Sequence, residues 1–166
     1  MEAVHLISGL SYVDAPVDVV AASMHGQLGD LHGGLRAVPD MHVFHRHAAT
    51  FPWRSQAAWF VAQMIRWGQL EKPDGLARVI DAVYRPDLHR EGAAGLGLAA
   101  PEIDWKSEGA HVDDWTLDRA SAPIRMAADR FQDGAIFDPD QLPRYLESLE
   151  ISSLRIRLDE LPESLA

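Results

Sequence analysis

The sequence predicts a mostly α-helical fold with minor β structure: one domain over residues 1–151, followed by a C-terminal tail, 152–166. Three observations lead there. Hydrophobic residues make up 47% of the 166-residue chain, enough for one core and too many for wholesale disorder. After Pro52 no proline or glycine intervenes until Gly68, and Phe60, Met64 and Trp67 fall at helical spacing with Val61 and Ile65 beside them. Alternation of the strand type is confined to a short segment, Met41 to His45.

The elements follow in order. Residues 1–8 have helical composition, broken by Gly9. Asp14 offers a cap and Pro16 a first turn for a short apolar helix ending at Met24. Residues 25–34 contain four glycines and read as a flexible loop. Ser55 is the expected N-cap of the long helix, which carries a thin polar stripe of Gln56, Gln63 and Arg66. An apolar arc so wide predicts burial against more than one neighbour, and hence the centre of the core. Leu76, Val79, Ile80 and Val83 mark a helix opened by Asp74, and Pro86 starts another that Gly97 caps. Residues 100–122 show no sustained period, so Trp105 and Trp115 are expected to pin a loop to the body. "MAADRFQDG" suggests a short helix ending at Gly134, and Leu142, Tyr145, Leu146 and Leu149 a clear final one. The tail is expected to add an extended piece and then fray.

Charge narrows the function. With 15 basic and 25 acidic side chains the chain carries a formal −10, which argues against direct binding of nucleic acid. A small anion remains compatible, because a pocket needs only a few local donors. There is no cysteine, which excludes disulfides, zinc-thiolate sites, iron–sulfur clusters and a cysteine nucleophile. "MEAVHLISGL" lacks a basic n-region, so it does not read as a signal peptide, and no apolar run reaches membrane-spanning length. As written, the sequence reads as a soluble chain that begins in the cytoplasm.

The densest motif is "FHRHAATFPWRSQAAWFVAQMIRWGQL", residues 44–70. His42, His45 and His47 could begin a metal site, and a histidine-metal hydrolase is the enzyme such a site would imply. Carboxylates at the fixed spacing such a site needs are missing nearby and no HExxH occurs, so the histidines read instead as a polar surface or loop hydrogen-bonding groups and no metal is expected. No G-x-S-x-G elbow is present, "GLGL" is too short for a phosphate loop, and "GDLHGG" lacks the following lysine and serine. No catalytic signature or cofactor site emerges, and a non-enzyme is expected. "RHAATFPWRS" is an anion feature: free N–H groups and the positive dipole end of a long helix, flanked by Arg46 and Arg54 and walled by Trp53. His45 and His47 are further candidate contacts. The alternative is that Arg54 pairs with an acid and Trp53 simply packs. Lys106, in "DWKSEG", reads as a solvated loop charge.

The 44–70 block, with "VYRPDLHREGAAGLG", "DRFQDGAIFDP" and "YLESLEI" after it and "YVDAPVDVVAASMHGQL" before it, resembles the C-terminal part of the nitrate/bicarbonate substrate-binding protein family of ABC transporters. The resemblance runs from about Tyr12 to Ile151. It implies the C-terminal portion of a two-lobed, periplasmic-binding-protein-like α/β fold that closes on nitrate, nitrite or bicarbonate. The implied partners are a transporter permease and ATPase or, in a cytoplasmic sensor branch, an RNA-binding antiterminator. Family members are more than twice as long, and their anion-contacting residues have no matching positions here. The resemblance therefore points to a binding-protein fragment, with a protein-interaction or homodimerisation module as the alternative. A natural start at Met1 implies the cytoplasm; an internal Met1 leaves the periplasm open.

Overall fold

The structure, a computed structural model, describes residues 2–29, 32–70 and 74–166. It divides into two compact units, Met1–Phe44 and His45–Ala166, where the sequence suggested one domain ending at 151.

In the first unit, α1 (Glu2–Ile7) and α2 (Val17–Met24) pack on each other, and each buries one valine, Val4 and Val20. Pro16 precedes α2 in extended conformation, while Asp14, the expected cap, lies in a left-handed turn. Strands β1 (Gln27–Gly29) and β2 (Leu35–Ala37) form an antiparallel hairpin with Leu28 opposite Arg36. The glycine-rich stretch is therefore partly a hairpin, and no strand forms at 41–45. The tip of the expected loop, Asp30 and Leu31, lies outside the described residues, as does Met1.

The second unit is built around α3 (Arg54–Arg66), with Trp53 rather than Ser55 at the N-cap position. Its core face differs from the one the large side chains suggest. Ala57, Ala58, Ala62 and Ile65 are buried, while Phe60, Met64 and Trp67 are 56%, 39% and 46% exposed. Small side chains let α3 approach its neighbours closely, and the bulky stripe is left outside. Gly68 ends the helix at φ +64, and a Cβ there would lie 2.6 Å from the Ser153 carbonyl oxygen, so the turn requires glycine.

Against the alanine face pack Ile80 of α4 (Leu76–Val83), Phe137, and Leu142, Tyr145 and Leu146 of α6 (Leu142–Glu147). Gly75, not Asp74, stands at the N-cap of α4, and residues 71–73 before it lie outside the described residues. Helix α5 (Pro86–Gly95) begins at its proline as expected, and Gly97 takes a positive φ after its end.

Residues 152–166 do not fray. Ile156, Leu161 and Leu165 are buried in the same core, and the Leu165 N–H donates to the Pro139 carbonyl at 3.0 Å. Residues 115–126 hold a second hairpin, β3 (Trp115–Leu117) and β4 (Ile124–Met126), and no helix forms before Gly134. Leu117 and Met126 join Ala48, Phe51 and Trp53 in a smaller core. Among the described residues no helix is long and apolar enough to cross a membrane.

Candidate functional site

The structure sorts the five candidate residues into two groups. His45, Arg46 and His47 line an open cavity of about 530 Å³, together with Ala99, Asp114, Pro123, Ile124 and Arg125. Arg46–Ala48 forms a single 3₁₀ turn packed on β4. His47 and Ala48 both have positive φ, at 61° and 49°, a conformation unfavourable for residues with a Cβ. A hydrogen bond secures that turn: the His47 Nδ1–H donates to the Arg125 carbonyl at 2.8 Å. Because a carbonyl can only accept, this contact fixes the tautomer. The neutral ring then presents Nε2 as an acceptor, and the protonated ring presents a second donor to the cavity. Arg125 is held by Asp114, with Nη2 to Oδ2 at 2.9 Å. That hydrogen bond is the largest cause holding the Asp114 carboxyl below its ordinary pKa, with the Ala128 amide adding to it.

Trp53 and Arg54 serve the interior instead. Trp53 is 1% exposed, edge-on to Phe51 at 4.7 Å between centroids. Arg54 pairs with Asp104 at 2.9 Å and Asp81 at 3.2 Å, and its own N–H donates to the Asp104 carbonyl. Arg90 closes on the other oxygen of Asp104. The entrance to α3 is thus tied down by a shared carboxylate. His42 belongs to the first unit, where its Nε2 lies 3.3 Å from Ser23 Oγ. Among the described residues no group of three or more His, Asp or Glu is placed to hold a metal ion.

A second polar centre escaped the sequence reading. The Lys106 side chain is only 9% exposed, and its ammonium lies 2.5 Å from Glu108 Oε2 and 3.0 Å from Asp129 Oδ2. Ser55 Oγ donates to the other Glu108 oxygen at 2.6 Å, which explains a fully buried serine in the first turn of α3. Asp129 also accepts from the His111 amide at 2.8 Å, and His111 stacks flat on Trp115. The usable signal was the rarity of lysine, which occurs only at 72 and 106.

Burial pushes the Asp129 pKa up, but the His111 amide and the Lys106 ammonium together outweigh it and leave the value lowered. A depressed folded pKa gives stability that is present above the unfolded value and lost as pH falls through the folded one. Urea denaturation between about pH 7 and pH 3 is therefore expected to show stability falling on acidification. Asp129→Asn should be less stable at neutral pH and converge with the parent in acid. Parallel curves would show that Asp129 is not the group responsible.

With this geometry the fold class can be stated: the chain forms part of an α/β periplasmic binding-protein fold. It superposes on the crystal structure of the periplasmic nitrate-binding protein NrtA from Synechocystis with a TM-score of 0.55 and 22% identity, over 90% of this chain and 35% of that one. The sequence relatives agree. The nitrate/nitrite binding protein NrtA of Synechocystis sp. is 34% identical over 107 residues, covering 64% of this chain and 20% of the relative. The bicarbonate-binding protein CmpA of Synechococcus elongatus is 27% identical over 159 residues, covering 90% and 32%. The nitrate import ATP-binding protein NrtC of Synechococcus elongatus is 29% identical over 110 residues, covering 66% and 14%. No protein-family model matches the chain. The chain is a homologue of the nitrate- and bicarbonate-binding proteins, and it spans no more than about a third of the length of these relatives.

Proposed function

We propose that this chain is the small-oxyanion-binding C-terminal part of a substrate-binding component, serving an ABC-type nitrate transporter or a related nitrate sensor, and that it is non-catalytic. The observation that carries this reading is the 34% identity over 107 residues to a nitrate/nitrite binding protein. The contacts we assign are Arg46, His47 and Arg125, with His45 at the same cavity. Trp53 and Arg54 support the segment from within. The implied assembly partners are a permease and an ATPase, in keeping with the match to an import ATP-binding protein.

Thermal unfolding of the chain with nitrate, nitrite, bicarbonate and chloride titrated separately tests this. A ligand at one hundred times its Kd adds about 2.7 kcal/mol to the folded state, a rise of several degrees. Nitrate or nitrite is expected to raise the midpoint, and Arg125→Gln, on an exposed side chain, to abolish the rise. A cooperatively folding protein that no anion stabilises would overturn the assignment. It would favour the second reading, an interaction module using the exposed Phe60, Met64 and Trp67.

A further inference from the structure

A different cavity, about 320 Å³, opens beside the C-terminal half of α3, lined by Trp59, Gln63, Arg66, Phe131, Asp133 and Tyr145. Its chemistry is set by one buried hydroxyl. Tyr145 is 7% exposed, and its oxygen accepts from Trp59 Nε1 and from Gln63 Nε2, both at 3.1 Å. With both lone pairs taken, the hydroxyl can only donate, and its proton meets no acceptor among the described residues. Because Tyr145 lines the cavity, that proton is directed to an acceptor there rather than to the protein.

A guanidinium stands beside it. Arg66 gives Nε to the Ile151 carbonyl at 2.7 Å and Nη1 to Gln63 Oε1 at 3.3 Å, which orients the group and leaves Nη2 available. Asp133 supplies the opposite charge. One of its oxygens accepts from the Ala135 amide at 3.0 Å. Arg66 and Asp133 line this cavity and a neighbouring one together, yet no ion pair joins them. Trp59 and Phe131, stacked at 5.6 Å, form an apolar wall.

We propose that this cavity binds a free α-amino acid with an apolar side chain. Its carboxylate takes the Tyr145 proton and Arg66 Nη2, its ammonium meets Asp133, and its side chain lies on the Trp59–Phe131 wall. A plain anion would face the Asp133 charge without relief. A zwitterion matches both signs within one small molecule. The site shares no residue with the cavity at His47 and Arg125.

Isothermal titration of the full chain with L-leucine, with isocaproate (no ammonium) and with isoamylamine (no carboxylate) tests the assignment. L-leucine is expected to bind, and each half-ligand to bind at least about tenfold more weakly. Asp133→Asn should lower leucine affinity about tenfold, strengthen isocaproate binding by removing the charge it faces, and leave the nitrate response unchanged. Tyr145→Phe should weaken both leucine and isocaproate. Because that variant also strands the Trp59 and Gln63 donors, the exposed Asp133→Asn decides the matter if Tyr145→Phe fails to fold. Absence of leucine binding, isocaproate binding as tight as leucine, or an Asp133→Asn variant that binds leucine normally would each overturn the proposal.

Discussion

Lys106→Met is expected to destabilise the second unit by about 3–5 kcal/mol. Lys106 and Glu108 are each 9% exposed, and the ammonium neutralises the buried carboxylate at 2.5 Å while reaching Asp129 at 3.0 Å. Methionine fills the volume of the stem but leaves Glu108 with only the Ser55 hydroxyl as a partner. The large cost comes from stranding one charge, since an intact buried pair contributes little over an apolar replacement. The double variant Lys106→Met/Glu108→Gln is therefore expected to recover part of the loss, because a neutral amide still accepts from Ser55 and carries no uncompensated charge. Urea denaturation of the two variants beside the parent reads the coupling directly. If the single variant loses less than about 1 kcal/mol, the pair behaves as a solvated surface bridge.

Gly109→Ala is expected to cost about 2–4 kcal/mol, combining left-handed strain with overpacking. Gly109 has φ +83, and an added Cβ would lie 2.7 Å from the Ala135 carbonyl oxygen and 2.8 Å from Phe131 Cδ2. The residue before it, Glu108, exchanges two backbone hydrogen bonds with Phe137, each 2.9 Å, and Phe137 is fully buried in the main core. Displacing Gly109 thus disturbs a core aromatic and the carboxylate of the buried network together. The melting temperature should fall by about 5–15 °C for a chain of this length. Gly92→Ala is the control: it sits in α5 with nothing within 4 Å of the added carbon, and should be neutral or slightly stabilising. Equal losses in the two variants would show that the close approach at Gly109 is not what matters.

The sequence made two helices legible because their periodicity is long and their boundaries are marked. Helix α3 lies within a residue or two of the expected span, and Leu142, Tyr145 and Leu146 do face the core from α6. Which side of α3 faces inward was misread, since periodicity gives a stripe but not its direction. Phe60, Met64 and Trp67 outweigh three alanines on any hydrophobicity scale, yet the alanines are the buried set. The hairpins were missed because strands of three residues are too short for alternation to register.

Sequence distance decided which side-chain contacts could be read in advance. His45, Arg46 and His47 are neighbours in the chain and share a cavity, but Arg125, whose carbonyl His47 bonds, lies 78 residues further on. Ser55 looked like a cap because its role depends on Glu108, 53 residues away. Lys106 looked solvated because Asp129, which completes its burial, comes 23 residues later. Trp53 and Arg54 had the right chemistry for an anion contact, and Asp81 and Asp104, also far along the chain, had claimed the arginine.

The alanine face of α3 also affects how the helix comes to rest. Ordering a leucine on a buried face costs about 0.5–1 kcal/mol of side-chain freedom, whereas alanine has none to lose. Ala57, Ala58 and Ala62 therefore dock without choosing among rotamers, and among the buried residues of the helix Ser55 and Ile65 have a χ angle to settle. No alternative arrangement of those alanine side chains can compete with the native one. The position of α3 is set by how closely the backbones can approach.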